Sequence, residues 1–213
     1  MNQVSLSAQK GKRPPNRPLD RASIIAAALQ LVRAEGTAAL SMRRLAKELG
    51  TGAMSLYRHV QDRDDLLVGM LDHAATRLPI PAPNSNEKAE ILALMRVIHS
   101  AFRKDPWIVG VLLYEGISSL HVLPFMDRIF AALDRMGLAP KEALEVYCLM
   151  LHYAYGESTS FETLQQRQQM KTTFTEAAAE HFPAAARAFA AAQDWQYDEF
   201  ERNIERILKT VGP

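Results

Sequence analysis

The chain carries one cysteine, Cys148, among 213 residues. That excludes a disulfide framework and suits a reducing compartment. No stretch approaches the roughly 20 apolar residues a helix needs to cross a bilayer. The N-terminal region has no apolar signal-peptide core. The expectation is a soluble, cytoplasmic protein without a membrane partner. No run alternates apolar and polar residues between turn signals, so strands are not expected. There is no internal repeat, nucleophile elbow, phosphate-binding loop, His-x-x-x-His pair or carboxylate cluster at ligand spacing. Catalysis, a metal and a cofactor are therefore not expected.

What is present is unevenly distributed. The formal net charge is +1, but residues 1–63 hold 11 basic and 4 acidic residues, and residues 64–213 hold 14 and 20. A head of +7 on a body of −6 is the layout expected when only the head meets phosphates. Residues 1–18 contain Lys10, Lys12, Arg13 and Arg17, three prolines and no acid, and read as a disordered basic tail.

Helical signals fill the rest. Asp20 reads as the N-cap of a helix that stops at Gly36, with Ile24, Ala28 and Leu31 inward. Ser41 caps a second helix with Leu45, Ala46 and Leu49 inward. A third starts near Gly52 and buries Leu56 and Val60. Asp62 caps a fourth, with Asp64 and Asp65 favourably placed in its first turn. The proline run 79–83 ends it and reads as a stiff linker. The expected domains are therefore 19–78 and 84–213. The body pattern gives helices over about 87–104, a short one after Pro106, 123–136, 140–169, 174–192 with a bend at Pro183, and 197–211. The stretch Val146–Tyr155 leaves almost no polar face, which suggests burial by a partner subunit as well as by its own.

Residues 41–63 are the most informative. Two short helices break at Gly50, and the second ends in cationic and hydrogen-bonding groups. This is the pattern of a helix-turn-helix that lays its second helix in the DNA major groove. The pieces Ala27-Ala28-Leu29, Ser41-Met42-Arg43-Arg44-Leu45-Ala46, Leu49-Gly50, Leu56-Tyr57-Arg58-His59-Val60 and Leu66-Leu67 together resemble the DNA-binding head of the TetR family of bacterial transcriptional regulators. The body layout, with its Phe200 to Leu208 ending, resembles the branch containing the tetracycline repressor.

The resemblance implies an all-α homodimer with a three-helix head, a linking fourth helix and a ligand-binding, dimerising body. It implies a repressor that leaves a palindromic double-stranded operator when a small hydrophobic or aromatic effector binds. Met42, Arg43 and Arg44 fall at the start of the second helix. Thr51, Gly52, Ala53, Met54 and Ser55 fall at the leading end of the recognition helix, where small Gly52 and Ala53 admit base edges and Met54 or Ala53 could touch a thymine methyl. Tyr57 and His59 match phosphate-binding positions. Arg63 stands where the family often has a lysine on the DNA backbone. Arg58 departs from the aromatic residue of the tetracycline repressors, so their operator sequence does not carry over.

The body supplies pocket candidates: His99, Phe102, Trp107, Tyr114, Phe125, Phe130, Tyr147, Met150, His152 and Tyr153. Apolar walls with a few polar groups suit a drug-sized organic ligand, and plain core packing is the alternative for each residue. Tyr147, Leu151, Tyr155, Phe200, Ile204, Ile207 and Leu208 are the expected dimer interface. The expected switch is a lever: effector binding shifts the fourth helix, and the two heads leave the 34–36 Å spacing of successive major grooves. A regulator without an effector, an activator and a helical enzyme remain the alternatives.

Overall fold

The computed structural model describes residues 19–166, 180–191 and 199–211. The basic tail, the start of the helix expected at 174 and Tyr197 lie outside them. Every regular element among the described residues is helical. The chain divides into two compact units. One holds the described residues up to Thr76 together with Gly110–Ser119; the other holds Arg77–Val109 and the described residues from Leu120 onward.

In the first unit, α1 (Arg21–Glu35) opens on a capping box between Asp20 and Ser23 and ends at Gly36, whose φ of 81° suits glycine. Ser41 caps α2 (Met42–Glu48) by accepting from the Arg44 amide. The chain reverses at Gly50, φ 64°, where the Thr51 amide donates to the Ala46 carbonyl at 2.9 Å. The third helix is shorter than its pattern suggested. α3 (Ala53–Leu56) is one turn, and the chain then tightens through His59, although Leu56 and Val60 are both buried as expected. α4 (Arg63–Ala75) is capped by Asp62, which accepts from the Asp65 amide.

A single guanidinium ties these pieces. Arg21 reaches both Asp65 carboxylate oxygens at 2.7 and 2.8 Å. It also donates to the carbonyls of His59 and Asp65, each at 3.2 Å. Beside it, Gly69 lets α1 and α4 approach closely: a Cβ there would stand 2.9 Å from Ile25 Cδ1 and 3.2 Å from an Arg21 nitrogen. Leu66, Leu67 and Met70 of α4 have no exposure, and each such burial contributes about 1.5–3 kcal/mol.

The second unit is built on α5 (Glu87–Lys104), which Asn86 caps. Packed on it are α7 (Leu123–Arg135), α8 (Pro140–Gln166) and α10 (Phe200–Lys209). Shorter pieces are α6 (Trp107–Gly110) and α9 (Pro183–Ala191). Ile91, Leu94, Met95, Ile129, Leu133 and Met150 form its centre. Glu90, buried, is held by Arg128 and by the Asn84 amide, and Arg128 also donates to the Pro81 carbonyl. A buried carboxylate needs such partners.

Arg21, by hydrogen bonding, holds the Asp65 carboxyl below its ordinary value, and the Gln61 amide adds to this. A lowered carboxyl stabilises fully above the unfolded value of about 3.9 and loses that contribution as acid protonates it. Solvent screens the pair, because the Arg21 side chain is 41% exposed. Asp65→Asn should therefore lower the unfolding free energy by about 1 kcal/mol near neutral pH. The gap to the parent should shrink toward low pH. Urea denaturation across pH checks both.

Candidate nucleic-acid interface and effector body

The residues expected at DNA divide by exposure. Arg43, Gly52 and Arg58 are exposed, while Thr51, Ala53, Ser55 and His59 are half-buried. Met54 is 78% exposed and Tyr57 47% exposed. One short helix and the turn after it thus present a methionine, a phenol and the Arg58 cation on one continuous stretch. Gly52, as N-cap of α3, makes no side-chain cap, so no side chain covers that end.

Two neighbours behave differently. Met42 is buried; its side chain fills the core of the first unit, a correction to its expected place at DNA. Arg44 is drawn onto Glu35 at 2.6 Å and lies 3.8 Å from Glu48, and its buried Nε has no hydrogen-bond partner. Its guanidinium secures α2 to the end of α1. Arg63 is also engaged: its two terminal nitrogens meet the Glu115 carboxylate at 3.0 and 2.8 Å, and its Nε donates to the Leu40 carbonyl at 3.3 Å. The hydrogen bond raises the Arg63 pKa and lowers that of Glu115. Sequence reading missed Glu115. It lies 52 residues away, and no local pattern points to it.

Of the pocket candidates, His99, Phe102, Trp107, Phe125, Tyr147 and Met150 are buried, and Phe130 and Tyr153 are half-buried. Tyr114 is a correction: it is 87% exposed and belongs to the first unit. His152 is also corrected, since it is exposed on α8. The rings pair as Phe102 with Tyr155 at 5.0 Å and Phe130 with Tyr147 at 5.1 Å. Phe200 lies between His99, stacked at 3.8 Å, and Tyr153 at 5.7 Å. Burial pushes Tyr155 up to about 12 and raises Tyr147, so both are neutral phenols at physiological pH. His99 Nε2 meets Glu157, a residue absent from the sequence reading. The other Glu157 oxygen, Oε1, is buried with no hydrogen-bond partner among the described residues.

The expected dimer residues are mostly interior. Tyr147, Tyr155, Phe200, Ile204 and Leu208 are buried within their own chain, because α8 and α10 pack on α5 and on each other. Only Leu151 and Ile207 of that set are half-buried. The outward face of α8 carries Leu149, His152 and Gly156, with Cys148 at its edge. Among the described residues no cluster could hold a metal, and no single helix is long and apolar enough to cross a membrane.

Comparison with known proteins bears on this geometry. Residues 24–70 match the family described as bacterial regulatory proteins, tetR family. Residues 80–211 match the tetracyclin repressor-like C-terminal domain. The chain belongs to the TetR family. As a TetR-family protein it is a DNA-binding transcriptional regulator, and membership decides against the enzyme reading. Among its relatives is the HTH-type transcriptional repressor DrrR1 of Streptomyces coeruleorubidus, 30% identical over 93% of this chain and 80% of that one. An HTH-type transcriptional regulator of Saccharopolyspora erythraea is also 30% identical, over 89% and 83%. ActR of Streptomyces coelicolor in complex with actinorhodin superposes with a TM-score of 0.77 at 26% identity, covering 91% of this chain and 95% of that one. Apo ActR gives 0.73 at 27% identity, over 92% and 95%. The all-helical TetR architecture, with a helix-turn-helix head and a larger helical body, is thus established.

The buried His99–Glu157 pair in this TetR-family body yields a prediction. His99→Leu strands a carboxylate in the interior and should cost about 3 kcal/mol. Removing both groups, as His99→Leu with Glu157→Leu, should recover much of that loss. Chemical denaturation of the two variants checks it.

Proposed function

We propose that this protein is a cytoplasmic homodimeric repressor that reads a palindromic operator through α3 and releases it when an aromatic, drug-sized effector enters the body. The observation that carries the DNA reading is the exposure of Gly52, Met54, Tyr57 and Arg58 on α3 and the turn after it, with Arg43 exposed on α2, at the end of a positively charged segment. A guanidinium can hold guanine O6 and N7 together, a contact worth about 1–3 kcal/mol of discrimination. Arg43 takes this role and Met54 meets a thymine methyl. Tyr57, His59 and Arg63 hold phosphates. Arg44 serves the head's packing instead, being committed to Glu35.

The dimer forms through the outward face of α8, where exposed Leu149 offers apolar surface and Gly156 leaves room for a neighbouring helix. The effector reading is supported by the aromatic make-up of the body, including the His99–Phe200–Tyr153 stack, and by the likeness to ActR, whose structure holds actinorhodin. An effector can shift the equilibrium only by binding the DNA-incompetent state more tightly.

The test is fluorescence anisotropy with duplexes from the DNA flanking the gene, with actinorhodin as the first effector probe. A dimer that prefers one duplex over random DNA supports the proposal. A monomer, or equal binding to every duplex, overturns it. Arg43→Ala should weaken specific binding about tenfold or more while barely changing non-specific binding. Tyr57→Phe should weaken all duplexes alike. Log K should fall by about 0.9 per neutralised phosphate for each log unit of salt.

A further inference from the structure

Residues 111–119 join the two halves of the body sequence, yet they belong to the head's compact unit. They begin with a wide π-type turn, Val111–Glu115, and then pass through Gly116 in the left-handed region at φ 67°. π-turns are rare and recur at functional positions. The segment is tied to α4 twice. Glu115 grips Arg63, the first residue of α4, with two hydrogen bonds. Ser119 donates to Asp72 at 2.6 Å, nine residues further along, which is about 14 Å of helix. The two ties hold residues 115–119 along the helix.

Arg63 therefore has two possible anionic partners. A guanidinium fork fits a carboxylate or a phosphate equally well in geometry, and it cannot grip both with the same pair of nitrogens. We propose that Glu115 is an internal rival of the DNA phosphate for Arg63, so that folding of residues 111–119 onto α4 and seating of α4's N-terminus on DNA are mutually opposed. The proposal rests on the reading of Arg63 as a phosphate contact. Its consequence follows from linkage: whatever steadies the Glu115 pairing weakens DNA binding, and DNA binding loosens that pairing by the same factor. Glu115 thereby sets the protein's affinity without touching the DNA.

A phosphate contact is independent of sequence, so the test needs no operator. Anisotropy of the full chain with a labelled random 30-base-pair duplex at low salt is the readout. Glu115→Gln should tighten binding about two- to fivefold, the scale of one half-exposed ion pair, and steepen the salt slope by up to about 0.9. The same substitution in an Arg63→Gln background should give no gain. Glu145→Gln, an equal charge change on α8, should give none either. Gly116→Val, which strains the left-handed turn without altering charge, should tighten binding in the same direction. Absence of a gain for Glu115→Gln overturns the proposal, as does an equal gain without Arg63, which would mean simple long-range charge. If the parent protein binds no duplex, the DNA-interface reading falls and this proposal with it. If the parent binds and only the Glu115 effect is absent, the rivalry alone is refuted.

Discussion

The head is organised by what Arg21 satisfies. One side chain at the first residue of α1 joins the chain after the recognition helix, through the His59 carbonyl, to the first turn of α4, through Asp65. That fixes the chain leaving α3 against the start of α4. A helix of four residues has no internal stability of its own. Its position comes from Leu56 and Val60 in the core and from the Arg21 knot behind it. The exposed face of α3 is thus held in place from behind by Leu56, Val60 and Arg21.

The same division of labour recurs among the cations. Arg43 and Arg58 are exposed, whereas Arg44 and Arg63 are held by carboxylates. Counting positive charge along residues 1–63 gives the right partner class but overstates the number of free contacts. In the body, the roles of polar groups are similarly internal. Glu90 with Arg128 pins the linker end, and His99 with Glu157 sits beneath Phe200. Such pairs are costly to bury, and removing one partner leaves the other without compensation in the interior.

Local signals in the sequence were dependable. Asp20, Ser41 and Asp62 each cap the helix assigned to them, and Gly36 and Gly50 sit where the chain must turn with positive φ. These features depend on residues three or four apart. The long-range partners were not legible: Arg21 with Asp65, Arg63 with Glu115 and His99 with Glu157 lie 44, 52 and 58 residues apart. Met42 and Tyr114 were misplaced for a related reason. Neighbours along the chain give a residue's face only relative to its own helix, and not what lies across from that face. Tyr155 and Phe200, expected at a dimer interface, are covered by their own chain, and an apolar stripe does not reveal which chain covers it.

Gly69 has a mechanical corollary. With no side chain there, the Ile25 methyl and the Arg21 head lie in a notch of α4, as a key lies in its slot. The two helices cannot roll past each other without lifting that key out of its seat. Any side chain filling that notch would prise α1 from α4 at the very point where Arg21 joins them.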